Sequence, residues 1–169
     1  MAKQTREDIN RQHDLLRVDP SRYIEEINEM VSQSPNDPDP YFTRHYGWLR
    51  LGQLERALDD LNRSLELEIG PVPLKARGLL YMKLGRLRDA ATDFSRAQAI
   101  DPDWKVTWGL LYQAHCHALL GDERAALEAC NALPEDHWSP GLHGAPGGNK
   151  EQVIDGIRRT LGAKREPND

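Results

Sequence analysis

The residues best suited to bind a metal ion lie in the C-terminal half of the sequence. They are His115, Cys116, His117, Cys130, His137 and His143. Adjacent residues on a helix point about 100° apart, so His115, Cys116 and His117 cannot converge on one ion. The paired ligand spacing of structural zinc sites is also missing. We therefore expect no metal, and we expect both cysteines to be small core residues.

A glycine-rich segment, residues 144–150, precedes a candidate helix and invites comparison with a phosphate-binding loop. Such a loop has glycine directly before its lysine and a hydroxyl residue after it, and it follows a strand. Here Asn149 and Glu151 flank Lys150, and no strand is expected. We interpret the segment as a connector in which Asn149 or Gly148 caps the next helix. A nucleotide- or metal-binding protein that uses residues 137–150 is a minor alternative.

Catalysis is not indicated by any arrangement of residues. The spacing argues for neither a Ser-His-Asp nor a Cys-His arrangement, and the acidic pair Asp59-Asp60 is expected on a solvated helix face. We therefore expect a protein that is not an enzyme and that holds no cofactor.

Composition narrows the class of protein further. The chain has 169 residues, which suits one compact domain or one short repeat array. Its net charge of −5 argues against a nucleic-acid partner. No apolar run approaches the about 20 residues of a membrane-spanning helix, and the N-terminus lacks the apolar core of a signal peptide. We expect a soluble cytoplasmic protein without membrane association.

An internal repeat organises the middle of the chain. Three segments, which begin at Leu51, Leu84 and Leu120, share a Leu-Gly pair and an alanine five residues after the glycine. Their glycines are 33 and then 36 residues apart. Apolar residues at helical spacing precede and follow each glycine, which predicts a helix, a glycine stop and a second helix. The small alanine is expected where the two helices cross closely.

The second of these segments resembles the tetratricopeptide repeat. The positions that define the repeats are Gly52 and Ala57 in the first, Gly78, Tyr81, Gly85, Ala90, Phe94 and Pro102 in the second, and Gly121 and Ala126 in the third. The first repeat has His45 in place of a glycine, and the third has Cys130 in place of an aromatic residue. The resemblance implies an all-α fold, a right-handed α-solenoid of antiparallel helix pairs, with other proteins as partners.

The expected organisation places further helices on both sides of the three repeats. Proline-started and apolar-periodic segments predict a degenerate N-terminal pair, and a last amphipathic segment predicts a helix that caps the stack. The predicted parts are 1–37 (degenerate pair), 38–70 (repeat 1), 71–104 (repeat 2), 105–133 (divergent repeat 3), 134–149 (Gly/Pro loop), 150–162 (capping helix) and 163–169 (tail).

The candidate binding surface is the concave side, which the first helix of each pair lines in such solenoids. The residues that we place there are Phe42, Tyr46, Arg50, Lys75, Leu79, Met82, Lys83, Trp108, Tyr112 and His115. Apolar and aromatic groups interspersed with cationic side chains suit a protein or peptide that carries apolar side chains and carboxylates. The alternative is that the leucines of this face pack against neighbouring helices or the C-terminal segment.

Some members of the family hold chaperone C-termini through a lysine and asparagine carboxylate clamp, and this clamp is absent. The matching positions hold Asp8, Gln12, Thr43, Trp108 and Tyr112. We therefore predict an adaptor, assembly factor or small chaperone that binds a peptide segment of another kind in its groove. The alternative function is a structural protein that assembles with copies of itself.

Overall fold

The computed structural model describes residues 6–101, 106–141 and 143–165. In these ranges the chain forms nine α-helices and two two-residue strands, so the fold is all-α as the sequence predicts. In chain order the elements are α1 (Arg6–Val18), α2 (Pro20–Gln33), α3 (Pro38–Arg50), α4 (Leu54–Leu67), α5 (Pro71–Lys83), α6 (Leu87–Ile100), α7 (Val106–Leu120), α8 (Glu123–Asn131), β1 (Trp138–Ser139), β2 (Gly148–Asn149) and α9 (Lys150–Arg165). The repeat-ending Pro102, residues 1–5 of the N-terminal pair, residue 105 and residues 166–169 of the tail lie outside the described ranges.

The helices group into two compact units, residues 1–69 and residues 70–169. In unit 1, each helix from α1 to α4 packs on the next one, and α3 also contacts α1. In unit 2, α5 to α8 pack in succession, and α9 packs on both α7 and α8. The helix predicted at 150–162 continues to Arg165, so it is longer than expected.

Proline and aspartate start several helices. Proline is the first residue of α2, α3 and α5, where its missing N–H costs no hydrogen bond and its fixed φ suits the helix. The Asp19 carboxylate accepts a hydrogen bond from the backbone N–H of Arg22 at 3.0 Å. The Asp122 carboxylate caps α8 in the same way by accepting from the backbone N–H of Ala125. These caps satisfy backbone donors that have no partner inside the helix.

Three glycines end the first helices of the repeats, as the sequence predicts. Gly52, Gly85 and Gly121 have φ values of 71°, 73° and 78°, in the left-handed region where a side chain is unfavourable. The residue after each glycine donates its backbone N–H to a carbonyl in the last turn of the helix, at 2.8 to 2.9 Å. The same turn therefore closes each repeat, and the following helix begins at once.

Buried small residues allow the paired helices to approach one another. Ala57, Ala90 and Ala126 are completely buried, as expected for residues at a helix crossing. Cys116 and Cys130 are also completely buried, which confirms the prediction that they are core residues. Burial raises the pKa of Cys116 to about 12 and that of Cys130 to about 11. Both thiols therefore stay protonated and unreactive at neutral pH.

Two core positions vary together from repeat to repeat. Repeat 2 places Gly78 against the ring of Phe94, so closely that a Cβ on Gly78 would lie 2.7 Å from Phe94 Cε1. The equivalent residues of repeat 1 are His45 and Leu61, and both are buried. Those of repeat 3 are Ala114 and Cys130, which are also buried. Compared with repeat 2, repeats 1 and 3 thus each have a larger first residue and a smaller second one, which is the direction that avoids overpacking.

One expectation about the surface is wrong. Asp59 is exposed, but Asp60 is buried and accepts hydrogen bonds from Arg44 at 2.6 and 2.9 Å and from Trp48 Nε1 at 2.8 Å. Asp60 lies one helical turn from Ala57 and Ser64, so it belongs to the buried face of α4 rather than to the solvated one. A bidentate arginine supplies the hydrogen bonds that a buried carboxylate requires.

The same ion pair recurs one repeat later. Arg77 holds Asp93 through two hydrogen bonds of 2.7 and 2.8 Å, and both residues lie 33 positions after Arg44 and Asp60. The hydrogen bond to the carboxylate raises the pKa of each arginine. Repeat 3 has Gln113 and Ala129 at the equivalent positions, so it lacks the pair. This pairing of the two helices within a repeat is a structural role that the sequence analysis did not assign.

Candidate peptide-binding surfaces

A cleft of about 640 Å³ opens in unit 1 between α1, α2 and α3. Its lining residues are Gln12, His13, Leu16, Arg17, Tyr23, Thr43, Tyr46 and Arg50. Leu15 and Leu16 of α1 pack on the core formed by Tyr23, Ile24 and Ile27, so the first helix is held in place by apolar contact. The cleft therefore lies on a scaffold of three packed helices.

Close packing of α2 on α3 forms the base of this cleft. A Cβ on Gly47 would lie 2.5 Å from Ile24 Cγ1, so only glycine permits this approach of the two helices. The Tyr23 hydroxyl donates a hydrogen bond of 3.1 Å to the Thr43 carbonyl oxygen. These two contacts fix the position of α3 and of the side chains that it presents to the cleft.

Three rings of α3 form a cluster beside the cleft. The His45 ring centroid lies 3.9 Å from that of Tyr46 and 4.9 Å from that of Phe42. His45 Nδ1 donates a hydrogen bond to the Phe42 carbonyl oxygen. Burial lowers the pKa of His45 to about 4, so this ring is neutral at physiological pH. A neutral, buried imidazole supports Tyr46, which remains 42% exposed and available for contact.

The charged groups that line the cleft are two arginines, and a histidine lies beside them. Arg17 and Arg50 are exposed, His13 lies beside them, and none of the eight lining residues carries a carboxylate. Arg17 approaches Asp14 only at 3.8 Å, and both side chains are about three-quarters exposed, so this pair holds the guanidinium weakly. The cleft therefore favours an anionic group next to an exposed aromatic side chain.

The residues predicted for the face of repeats 2 and 3 form a different arrangement. Lys75 lies over the Trp108 ring, with Nζ 5.1 Å from its centroid. The rings of Trp108 and Phe94 stack on Tyr112 at 5.9 and 5.0 Å. The depression beside these rings holds only about 20 Å³, which is too small for a peptide side chain. Leu79 and Met82 are half-buried and Lys83 is exposed.

Two of the predicted binding residues are covered rather than open. Tyr112 is 1% exposed and His115 is 6% exposed. The His143 ring lies 6.0 Å from the ring of Tyr112, and a Cβ on Gly144 would lie 3.5 Å from His115 Nε2. The C-terminal segment therefore packs on this part of α7, although the sequence predicts such cover only for the leucines of this face.

The glycine-rich segment does not have the geometry of a phosphate-binding loop. Asn149 Oδ1 accepts the backbone N–H of Gln152, and Gln152 Oε1 accepts that of Asn149, so Asn149 caps α9 as predicted. Lys150 Nζ donates to Glu135 at 2.7 Å and to the Asn131 carbonyl oxygen at 3.1 Å. The lysine thus ties α9 to the end of α8.

Most residues of the unit 1 cleft were missed because the N-terminal pair lacks the glycine signature of the repeats. Of the residues that the sequence places on the binding face, Tyr46 and Arg50 line this cleft, and Gln12 and Thr43 are predicted only as positions of an absent clamp. The available signal was the spacing of α1, where residues 12 and 16, and likewise 13 and 17, are four positions apart. That spacing places a basic and apolar stripe on one face of the helix.

Within the described part of the chain, no cluster of three metal-binding side chains forms, although His115, His137 and His143 belong to the same unit. Among the described helices, none is both long enough and apolar enough to cross a membrane.

Comparison with known proteins gives one family and one recurrent structural neighbour. Residues 72–104 match the model of the tetratricopeptide repeat family. No curated protein matches the sequence. A crystal structure of MamA superimposes with a TM-score of 0.66 and 13% sequence identity, over 95% of this chain and 93% of that one. A MamA RS-1 ArsTM double mutant has a TM-score of 0.64 and 18% identity, over 78% of this chain and 74% of that one.

A further crystal structure of MamA protein has a TM-score of 0.59 and 14% identity, over 94% of this chain and 74% of that one. At these identities the neighbours show the fold, and the family match supplies the type of repeat. Residues 72–104 coincide with α5 and α6, the helix pair that carries the glycine stop, the buried alanine and the buried ion pair. Residues 72–104 are therefore a repeat of the tetratricopeptide type, and they lie in an all-α chain whose fold is similar to that of MamA.

Proposed function

We propose that this protein is an interaction module, without catalytic activity of its own, that binds a peptide segment of a partner protein in the cleft of α1, α2 and α3. The observation that carries the proposal is the open cleft of about 640 Å³ with two exposed arginines, an exposed Tyr46 and no lining carboxylate. A peptide with one or more carboxylates and a large apolar side chain complements these groups.

Binding in this mode depends on a surface that is already formed. The close contact at Gly47, the hydrogen bond of Tyr23 and the apolar attachment of α1 hold the lining residues before a partner arrives. A rigid receptor lowers the ordering cost of association, so an extended peptide can bind without a large interface. The role of an adaptor, assembly factor or small chaperone follows from this mode of binding.

Selection from a library of random 12-residue peptides tests this proposal on the full chain. We expect the selected peptides to be enriched in Asp or Glu next to an aromatic residue or leucine. Arg50→Glu should weaken their binding by at least about tenfold, because it reverses a charge at the rim of the cleft. Tyr46→Ala should have a similar effect through lost aromatic contact, and isothermal titration calorimetry with one selected peptide measures both changes.

Arg22→Glu is the matched control, because Arg22 is an exposed arginine of α2 in the same unit that does not line the cleft. It should change the affinity less than about twofold. Peptides that bind the Arg50→Glu and Tyr46→Ala variants as well as the original protein would exclude the cleft as their binding site.

A second candidate function is assembly with further copies of the same chain. Val18 at the end of α1 is 74% exposed and Met30 of α2 is 41% exposed, so the first helix pair leaves apolar side chains in solvent. Terminal repeats need a polar outer face to stay monomeric. Sedimentation equilibrium decides this point: self-assembly predicts a mass that rises with concentration and that returns to one chain in a Val18→Glu, Met30→Glu variant. A constant mass of one chain would exclude this function.

A further inference from the structure

Residues 137–141 and 143–148, together named the cover below, form a compact segment that is fastened at several points. Ser139 pairs with Gly148 in the short antiparallel ladder of β1 and β2. The backbones of Gly141 and Gly147 approach so closely that a Cβ on either would lie under 3.0 Å from the other's backbone. Pro146 packs on Gly156 of α9, where a Cβ would lie 2.4 Å from Pro146 Cβ. The cover is therefore a defined structure and not a random connection.

The inner side of the cover lies on α7. His143 contacts the ring of Tyr112, Gly144 passes beside His115, and Ala145 is only 6% exposed. His143 has a φ of 53°, a left-handed conformation that is unfavourable for a residue with a side chain. The contacts with α7 therefore hold the cover in a backbone conformation that His143 does not favour by itself.

Two imidazoles are buried where the cover closes. His115 lies on α7 beneath the cover and is 6% exposed. His137 is the first residue of the cover and is 2% exposed. Nδ1 of His115 and both ring nitrogens of His137 are buried without a hydrogen-bond partner. A buried polar atom without a partner is unfavourable, and a buried positive charge without an acceptor is more so. The closed arrangement thus tolerates these rings only in their neutral form.

The surrounding charged groups do little to stabilise a proton on either ring. Burial lowers the pKa of His115 and is its only resolved cause. Burial also lowers the pKa of His137, and the neighbouring Asp136 opposes that effect only in part. The other ionisable groups around the closure are His143 on the cover, the buried thiol of Cys116, and the Lys150–Glu135 pair that ties α9 to α8. Arg158 of α9 adds positive charge near Cys130.

We propose that the cover is a histidine-controlled lid, which closes the Tyr112 and His115 face of α7 at neutral pH and leaves it in mildly acidic solution. An imidazole that becomes exposed on opening titrates near 6.5, whereas in the closed form it binds a proton only at lower pH. The open form therefore binds more protons, so closure is favoured above about pH 6.5 and is progressively lost below it. This proposal is independent of the unit 1 cleft.

Hydrogen exchange of the full chain, followed by mass spectrometry at about pH 7.5 and about pH 5.0, tests the lid directly. After correction for the pH dependence of intrinsic exchange, the protection factors of residues 137–149 should fall by at least about tenfold at the lower pH. Amides of α5 and α6 serve as the internal reference, since these helices belong to the same unit and contain no histidine. Their protection should stay constant within about twofold.

A double variant, His115→Leu with His137→Leu, removes both titrating groups and keeps the volumes similar. Its cover should keep nearly the same protection at both pH values. His117→Gln is the matched control on α7, because His117 lies near Asp122 on another face of the helix, beside Arg88 and Thr92 of α6 and not beneath the cover. That variant should lose protection in acid as the original protein does.

Three results would overturn the proposal. The first is equal protection of the cover in the original protein at both pH values. The second is a loss of protection in acid that persists in the His115→Leu, His137→Leu variant. The third is a loss that extends equally to α5 and α6, which would show unfolding of unit 2 rather than opening of a lid. If the double variant does not fold, the pH titration of the original protein still decides, because the lid predicts loss that begins near pH 6.5 and is confined to the cover.

Discussion

Asp60→Ala is expected to lower the free energy of unfolding of unit 1 by about 3–5 kcal/mol. The Asp60 carboxylate is 6% exposed and the Arg44 side chain 18%, so removal of the carboxylate leaves a guanidinium with little water in place of its partner. Trp48 Nε1 loses its acceptor as well. The loss of one partner of a buried pair costs more than the pair contributes, because the remaining charge is left uncompensated.

Urea denaturation followed by circular dichroism measures this change, with hydrogen exchange of α3 and α4 to assign it to unit 1. Asp59→Ala is the control, because the neighbouring carboxylate on the same helix is exposed; it should stay within about 0.5 kcal/mol of the original protein. A joint replacement, Arg44→Met with Asp60→Leu, should recover at least about half of the loss, since it removes both charges. Equal effects of Asp59→Ala and Asp60→Ala would show that the buried pair is unimportant.

The elements of this fold could be predicted from sequence because their signals are local. A left-handed position after a helix requires glycine, so Gly52, Gly85 and Gly121 mark the turns by residue type alone. A crossing of two helices requires a small residue, so Ala57 and Ala90 mark the contacts. These signals depend on neighbours within one helical turn, and the structure confirms each of them.

The buried carboxylates had a signal that lies at longer range. Asp60 follows Arg44 by 16 residues, and Asp93 follows Arg77 by the same interval. Two adjacent acidic residues such as Asp59 and Asp60 are typical of a solvated helix face. Only the Arg–Asp spacing, which recurs at the repeat period, indicates that Asp60 is buried instead. A comparison of charged positions between repeats, rather than within one helix, would have identified the pair.

The lid and the unit 1 cleft depend on contacts that no local pattern encodes. Residues 137–148 lack periodicity, so nothing in their order indicates that Gly144 reaches His115 or that Pro146 reaches Gly156. These contacts depend on the packing of α9 on α7 and α8, and on glycines with positive φ that allow the segment to fold back. The sequence therefore predicted a loop but not the surface that the loop covers.

Gly78→His is expected to destabilise unit 2 by about 3 kcal/mol, through overpacking of a filled core. A Cβ at this position would lie 2.7 Å from Phe94 Cε1 and 2.9 Å from Phe94 Cζ. Phe94 is 1% exposed and stacks on Tyr112 at 5.0 Å, and the depression beside it holds only about 20 Å³, so its ring has little space into which it could move. Urea denaturation with circular dichroism measures the change. The control Ala99→His, which introduces a histidine at an exposed position of α6, should cost less than about 0.5 kcal/mol.

The decisive comparison adds Phe94→Leu, because Gly78→His with Phe94→Leu recreates in repeat 2 the His45 and Leu61 pair of repeat 1. Phe94→Leu alone should cost about 1–2 kcal/mol through lost contacts. If the two positions exchange volume, the double variant should be more stable than the sum of the single changes by at least about 1 kcal/mol. His45 also shows that an imidazole fits this place in a helix, because its Nδ1 bonds to the carbonyl oxygen three residues earlier. Additive effects would mean that each repeat accommodates its own residues independently, and that the covariation between the repeats reflects no shared packing rule.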